Sequence, residues 1–228
     1  FLFKKMINSS DAIVTVNRLI YDIAKESSRP AYILPNLACF SMDFLSFEAR
    51  SKELVVVGGT KRDITLSYNI AKEVYRKTGM TISTHIIGIP NTYKEVFIKN
   101  DSFMPYSEMM KNINLSLFSL ISFRTYNLNS KNDIYCLPIK FFDSLGAGTP
   151  VIVDSYFKEM AYWTEKYGVG IVIDSSKPEK AAEKILEAMN EKKYSVYIEN
   201  IKANQDIFVW NEKRKDEFLS FIQEVLKV

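Results

Sequence analysis

Two charged side chains interrupt an otherwise apolar and glycine-punctuated run, Leu137 to Asp154, LPIKFFDSLGAGTPVIVD: they are Lys140 and Asp143. Pro138 suits the first position of a helix, where its missing N–H costs nothing. Ile139, Phe142 and Leu145 then recur at helical spacing. Lys140 and Asp143, three apart, share one face of that helix. Lys140 falls in the first turn, where the macrodipole disfavours a cation by about 0.3–1 kcal/mol. An anion docked at the helix N-terminus reverses that sign. The competing reading is a surface salt bridge between the two side chains.

The elements around this pair read as an α/β domain. Gly146 and Gly148 stop the helix, and Val151-Ile152-Val153 is the uninterrupted apolar run of a central parallel strand. From Glu53 onward strands are expected at Leu54–Val57, Ile82–Ile87, Val96–Ile98, Leu115–Leu120, Val151–Val153 and Val169–Ile173. Helices are expected between them at Ile64–Lys77, Ser107–Ile113, Pro138–Leu145, Phe157–Tyr167 and Glu179–Met189. A polar loop fills Thr125 to Asp133. Six apolar strands separated by helices call for a Rossmann-like, doubly wound parallel sheet.

Ahead of that sheet, Ala12–Val16 and Ala31–Leu34 read as short strands flanking a helix from Arg18 to Glu26 that Asn17 caps. Leu37 to Lys52 is apolar enough to be a packed linker. Tyr194–Gln205 and Asn211–Leu226 are C-terminal helices. The expected division is 1–52, the end of one domain and its linker, and 53–228, the doubly wound domain with its C-terminal helices.

In such sheets ligands bind beyond the carboxyl ends of the strands, near the reversal in strand order. Two stretches lead there. The loop Gly58 to Arg62 brings backbone freedom and two cations, Lys61 and Arg62, which could equally be solvated loop charges. The stretch Ile134 to Lys140, through Cys136 and Leu137, brings backbone N–H groups on a positive helix end. Together they make a diphosphate cradle.

Composition narrows the field. The 228 residues carry 30 basic and 27 acidic side chains, a net charge of +3 too balanced to indicate nucleic acid. No apolar run approaches the roughly 18–20 residues that span a bilayer. Cys39 and Cys136 have no metal-ligand spacing, so a reduced, cytoplasmic setting is the default. The sole histidine, His85, sits in a strand-like run. There is no GxGxxG, DxD or HExxH, and no covalent nucleophile or metal site is expected. A chain opening on Phe1 is expected to be a piece of something longer.

The pattern Pro-x-Lys-x-Phe-Asp-x-Leu-x-Ala-Gly-x-Pro-Val, from Pro138 to Val151, resembles the sugar-nucleotide signature of GT-B glycosyltransferases of the family 4 type. The order "SDAIVTVN", helix, "ILPN" (residues 10–17 and 33–36) is similar to the end of their N-terminal domain. The segment from Trp210-Asn211-Glu212 resembles their last segment, which folds back over the domain junction. The resemblance implies a donor-binding C-terminal domain with most of the acceptor half absent. It also implies a nucleotide-sugar donor, transfer with retained configuration, no cofactor and no metal. Asp143, one methylene shorter than the family glutamate, would hold the ribose hydroxyls. Lys61, Arg62, Cys136, Leu137 and Lys140 would face the diphosphate.

Eight residues before Asp143, where the family's first glutamate meets the donor sugar, stands Tyr135, with Asp133 one small loop shift away. The acceptor, whether glycan, lipid or other, is not specified. Peripheral contact with the inner face of a membrane would come through the preceding domain. Two other readings keep the architecture: a non-catalytic module that binds a nucleotide sugar or a partner protein, and an epimerase-like protein. The second would want more acid and histidine than a single His85 supplies.

Overall fold

The computed structural model describes residues 2–58, 65–80, 82–86, 98–100, 104–121 and 131–227, with the backbone alone for 2–4, 58, 82–86, 98–100 and 132. The chain opens with α1 (Leu2–Asn8), β1 (Ile13–Thr15), α2 (Arg18–Glu26) and β2 (Ala31–Ile33). β1 and β2 pair in parallel as a small separate sheet. Asn17 caps α2 as its position predicts, its side chain accepting from the Ile20 N–H at 3.0 Å.

The remainder alternates strand and helix. It runs β3 (Ser51–Gly58), α3 (Thr65–Thr78), β4 (Ile82–Ile86), β5 (Ile98–Asn100), α4 (Tyr106–Leu115), β6 (Ser116–Ile121), α5 (Lys131–Ile134) and α6 (Ile139–Gly146). Then follow β7 (Val151–Asp154), α7 (Lys158–Tyr167), β8 (Gly170–Ile173), α8 (Pro178–Ala188), α9 (Glu191–Ala203), α10 (Gln205–Phe208) and α11 (Glu212–Leu226). The six strands β3 to β8 form one parallel sheet in the order β5-β4-β3-β6-β7-β8. That is the doubly wound order, with its reversal between β3 and β6.

Every residue of β6 and β7 is buried, as strands covered on both faces must be. Side chains alternate between two cores. Leu54, Val56 and Ile152 join Ile70, Val74, Ile185 and Tyr194 on one face, whereas Val151 and Val153 join Phe141, Phe142 and Met160 on the other.

Several boundaries differ from the sequence reading. Pro138 is the N-cap of α6, extended at φ −76° and ψ 155°, so the helix begins one residue later and Lys140 is its second residue. β5 covers Ile98–Asn100, whereas its expected first residues, Val96 and Phe97, lie outside the described residues. Asp133 sits in a short helix, α5, and not in a loop, because the Tyr135 N–H closes a helical turn on the Lys131 carbonyl at 3.0 Å. Residues 125–130 of that expected loop lie outside the described residues. β3 begins at Ser51, ahead of the expected Leu54, because Ser51 already pairs with Ser116.

The stretch Leu37 to Lys52, expected to be a linker, is packed. Ala38 forms a parallel bridge with Val209, its N–H donating to the Phe208 carbonyl at 3.1 Å and its carbonyl accepting from the Trp210 N–H at 2.9 Å. The Met42 N–H donates to the Gly146 carbonyl at 2.9 Å. Gly146 allows that approach: a Cβ there would lie 2.6 Å from the Ala38 Cβ. α11 returns to the small sheet, where Phe218 and Phe221 meet the Tyr32 ring at 5.6 and 5.2 Å. No described helix is long and apolar enough to cross a membrane.

At the amino end of the larger sheet Arg50 is only 5% exposed. Its guanidinium donates to the carbonyls of Asn114 (2.6 Å), Ser116 (3.1 Å) and Gly148 (2.7 Å), and to the Thr149 hydroxyl (3.0 Å). Beside it the Asn114 amide donates to the carbonyls of Asp43 and Ala147. Burial pushes the Arg50 pKa down, because the charge sits among neutral dipoles. Arg50→Met would leave several buried carbonyls without donors. We expect a loss of about 3 kcal/mol of unfolding free energy, read as a lower urea midpoint at unchanged slope.

Candidate functional site

The site is built where topology puts it, at the carboxyl ends of β3 and β6. α6 starts there. Its N-cap is proline, which offers no side chain to the first-turn N–H groups. From the second helical position the Lys140 side chain reaches across to β3, its Nζ 3.4 Å from the Val57 carbonyl oxygen. This brings a cation to the reversal in strand order.

One turn further on, Asp143 is 3% exposed. The salt bridge to Lys140 that the spacing allows is not formed. Instead the Tyr106 hydroxyl, from the first residue of α4, donates to Asp143 Oδ1 at 2.6 Å. Among the described residues this is the carboxylate's one hydrogen-bond partner, and it is neutral. Desolvation raises the Asp143 pKa to about 6, and the bond from Tyr106 opposes that rise. Tyr106 responds in kind: burial and the neighbouring carboxylate push its phenol upward. Buried carboxylates without a cation are costly to keep, and they concentrate at functional sites.

The loop leading to α6 is pinned by two asparagines from the small sheet. The Asn17 amide, just past β1, donates to the Tyr135 carbonyl at 3.2 Å. The Asn36 amide, just past β2, donates to the Leu137 carbonyl at 2.9 Å. Leu137 buries its side chain among Phe141 and Phe142, so only its backbone can face a ligand, and Cys136 packs against the same cluster. Asp133 and Tyr135 stand at the end of α5, both half-buried, with the Cys136 N–H donating to the Asp133 carbonyl at 3.2 Å. Lys61 and Arg62 lie outside the described residues.

The structure thus brings Lys140, Asp143, Leu137, Cys136, Tyr135 and Asp133 into one continuous segment at the sheet edge. It also adds three residues that sequence reasoning did not assign to the site. Asn17 and Asn36 each follow a short strand, which was the available signal, although only the capping role of Asn17 was read from it. Tyr106 lies one residue ahead of the expected helix start and carried no signal. A second tie joins the two sheets: buried Glu159 of α7 accepts from Arg18 Nε at 3.2 Å and from Trp163 Nε1 at 3.1 Å. The Arg18 guanidinium lies 3.4 Å over the Tyr162 ring. Among the described residues no three His, Cys, Asp or Glu side chains gather as metal ligands do. An open depression lined by Tyr32 and by Lys213, Glu217 and Phe221 of α11 belongs to the helix–small-sheet contact and not to the strand ends.

No family model and no curated protein matches the sequence. Solved structures do match the fold. The pneumococcal O-GlcNAc transferase GtfA, in complex with UDP and GlcNAc, superposes with a TM-score of 0.70 at 12% identity, over 98% of this chain and 47% of GtfA. TarM superposes at 0.64 and 10% identity, covering 96% of this chain and 45% of TarM. WaaG, a glycosyltransferase involved in lipopolysaccharide biosynthesis, superposes at 0.57 and 12% identity, covering 88% of this chain and 60% of WaaG. The fold is that of a GT-B glycosyltransferase. The chain spans 47% of the GT-B protein GtfA, and the parallel sheet with its C-terminal helices agrees with the fold class expected from the sequence.

Asp143 gives the site a pH signature. Its carboxyl is protonated in both folded and unfolded chains below the ordinary aspartate value of 3.8 and ionised in both well above 6. Between these limits the folded chain holds a proton that the unfolded chain has lost. Stability therefore falls as pH rises through the window, by about 3 kcal/mol in total. Wild type should lose that much relative to Asp143→Asn between pH 3.5 and pH 8, measured by urea unfolding at each pH.

Proposed function

We propose that this chain is the donor-binding part of a glycosyltransferase, moving a sugar from a nucleotide-sugar donor to an acceptor. Residues 53–228 form the donor domain, and residues 1–52 are the end of the preceding domain with its linker. The observation that carries the reading is Asp143: a buried carboxylate with, among the described residues, one neutral donor, one turn inside a helix whose amino end adjoins the strand reversal. A nucleotide supplies what this arrangement lacks. Its diphosphate suits the N–H groups of Leu137, Ile139 and Lys140 and the Lys140 ammonium. Its ribose presents two vicinal hydroxyls to Asp143. The solved complex of GtfA with UDP and GlcNAc lends the same direction to the assignment.

In this reading Lys140, the α6 dipole and the loop cations Lys61 and Arg62 stabilise the negative charge that develops on the departing nucleoside diphosphate. Transfer proceeds with retention and without a metal. Asp133 and Tyr135 address the donor sugar, and the acceptor is activated from the preceding domain, which also supplies any contact with a membrane surface. The protein works in the cytoplasm. A second reading, a non-catalytic module of the same architecture, draws on Tyr135 standing where a sugar-binding acid is expected.

Calorimetric titration with UDP, GDP and ADP distinguishes the readings from a fold without a donor site. One nucleoside diphosphate should bind, and Asp143→Ala and Lys140→Gln should each weaken it at least tenfold, with loss of charge-assisted bonds worth about 1.5–3 kcal/mol each. Failure of all three nucleotides to bind wild type would sink the donor-site assignment.

A further inference from the structure

Asp143 and Tyr106 form a closed pair over the place assigned to the ribose, and this carries a further step that rests on the donor-site reading. The pair satisfies one carboxylate oxygen only. Oδ1 accepts from Tyr106, and among the described residues Oδ2 has no donor, although the residue is 3% exposed. A buried carboxylate with one donor for about four lone-pair sites is under-satisfied. The phenol sits on Oδ1 of a side chain only 3% exposed, so a diol can span both oxygens only when the phenol moves aside.

Tyr106 is placed to do so. It is half-buried, at the first residue of α4. Its ring meets Phe40 edge-on at 5.5 Å, and its hydroxyl's second contact, the Cys39 N–H at 3.5 Å, is at the limit of a hydrogen bond. The far end of α4 is anchored through the Asn114 carbonyl and amide. The side chain can therefore rotate while the helix stays.

We propose that the Tyr106 hydroxyl is a built-in stand-in for one ribose hydroxyl: it holds Asp143 Oδ1 in the free chain and leaves when a nucleotide's diol takes both carboxylate oxygens. Tyr106 is thus a specificity-determining residue. It sets how far the site prefers a diol over a single hydroxyl, narrowing that preference because only the diol has to displace it.

The test compares wild type and Tyr106→Phe in titrations with UDP and 2′-deoxy-UDP, and with the GDP and ADP pairs, using the 228-residue chain. Removing the phenol removes a competitor, so Tyr106→Phe should bind the ribonucleotide roughly tenfold tighter, equivalent to about 1.4 kcal/mol. Its affinity for the 2′-deoxy analogue should stay within about twofold of wild type, since Oδ1 is then empty before and after binding. An ultraviolet difference spectrum on adding the ribonucleotide should show a tyrosine leaving a carboxylate, a signal absent from Tyr106→Phe. If wild type binds a ribonucleotide through Asp143 but Tyr106→Phe binds it equally or more weakly, the phenol is a fixed support and the proposal is overturned while the donor site stands. If wild type binds no nucleotide, the donor-site reading fails and takes this proposal with it.

Discussion

A single buried cation holds the site's two halves in register. Arg50 binds carbonyls at the end of α4, at the start of β6 and in the turn after α6, and adds the Thr149 hydroxyl. α4 and α6 are thereby tied together at the amino edge of the sheet. Their opposite ends carry Tyr106 and the Lys140–Asp143 pair. The 2.6 Å contact between Tyr106 and Asp143 depends on that distant clamp, because neither helix is joined to the other by a short loop. Arginine suits this position: its planar fork serves several carbonyls at once, and it stays charged where a lysine would tend to release its proton.

The same division of labour appears along the approach to α6. Strand pairing fixes where β1 and β2 end, and the asparagine just past each strand carries that position over to a carbonyl of the 135–137 loop. The loop leading to α6 is thus shaped by residues that follow the strands of the small sheet. Arg18 and Glu159 add a hydrogen-bonded ion pair, its carboxylate buried, on the next helix along. Together these contacts make the small sheet part of the site's support.

Much of this was legible from residue order because the governing interactions are local. The apolar runs of β6 and β7, Gly146 and Gly148 at the end of α6 and the asparagine caps of α2 and α11 each declare themselves within a few residues. The Lys140–Asp143 spacing likewise announced a shared helix face. It could not announce which partner Asp143 takes, since Tyr106 comes from another helix and helical spacing favoured lysine. Pro138 is compatible with both the cap and the first helical position, and the extended backbone it adopts decides for the cap. Arg50 falls within the stretch read as a linker, Leu37 to Lys52. Nothing near it in sequence foretold a pocket of carbonyls assembled from three later segments.

The bridge between Ala38 and Val209 carries a consequence for how the molecule is made. Val209 leaves the ribosome after every strand of the larger sheet, so Ala38 must wait while β3 through β8 emerge and pair. Until then the apolar stretch around Ala38 has no permanent cover, and the Ala38 carbonyl has no Trp210 N–H to meet. The bridge is thus a late clasp: the segment around Val209 seals the seam between the stretch at Ala38 and the larger sheet's helices.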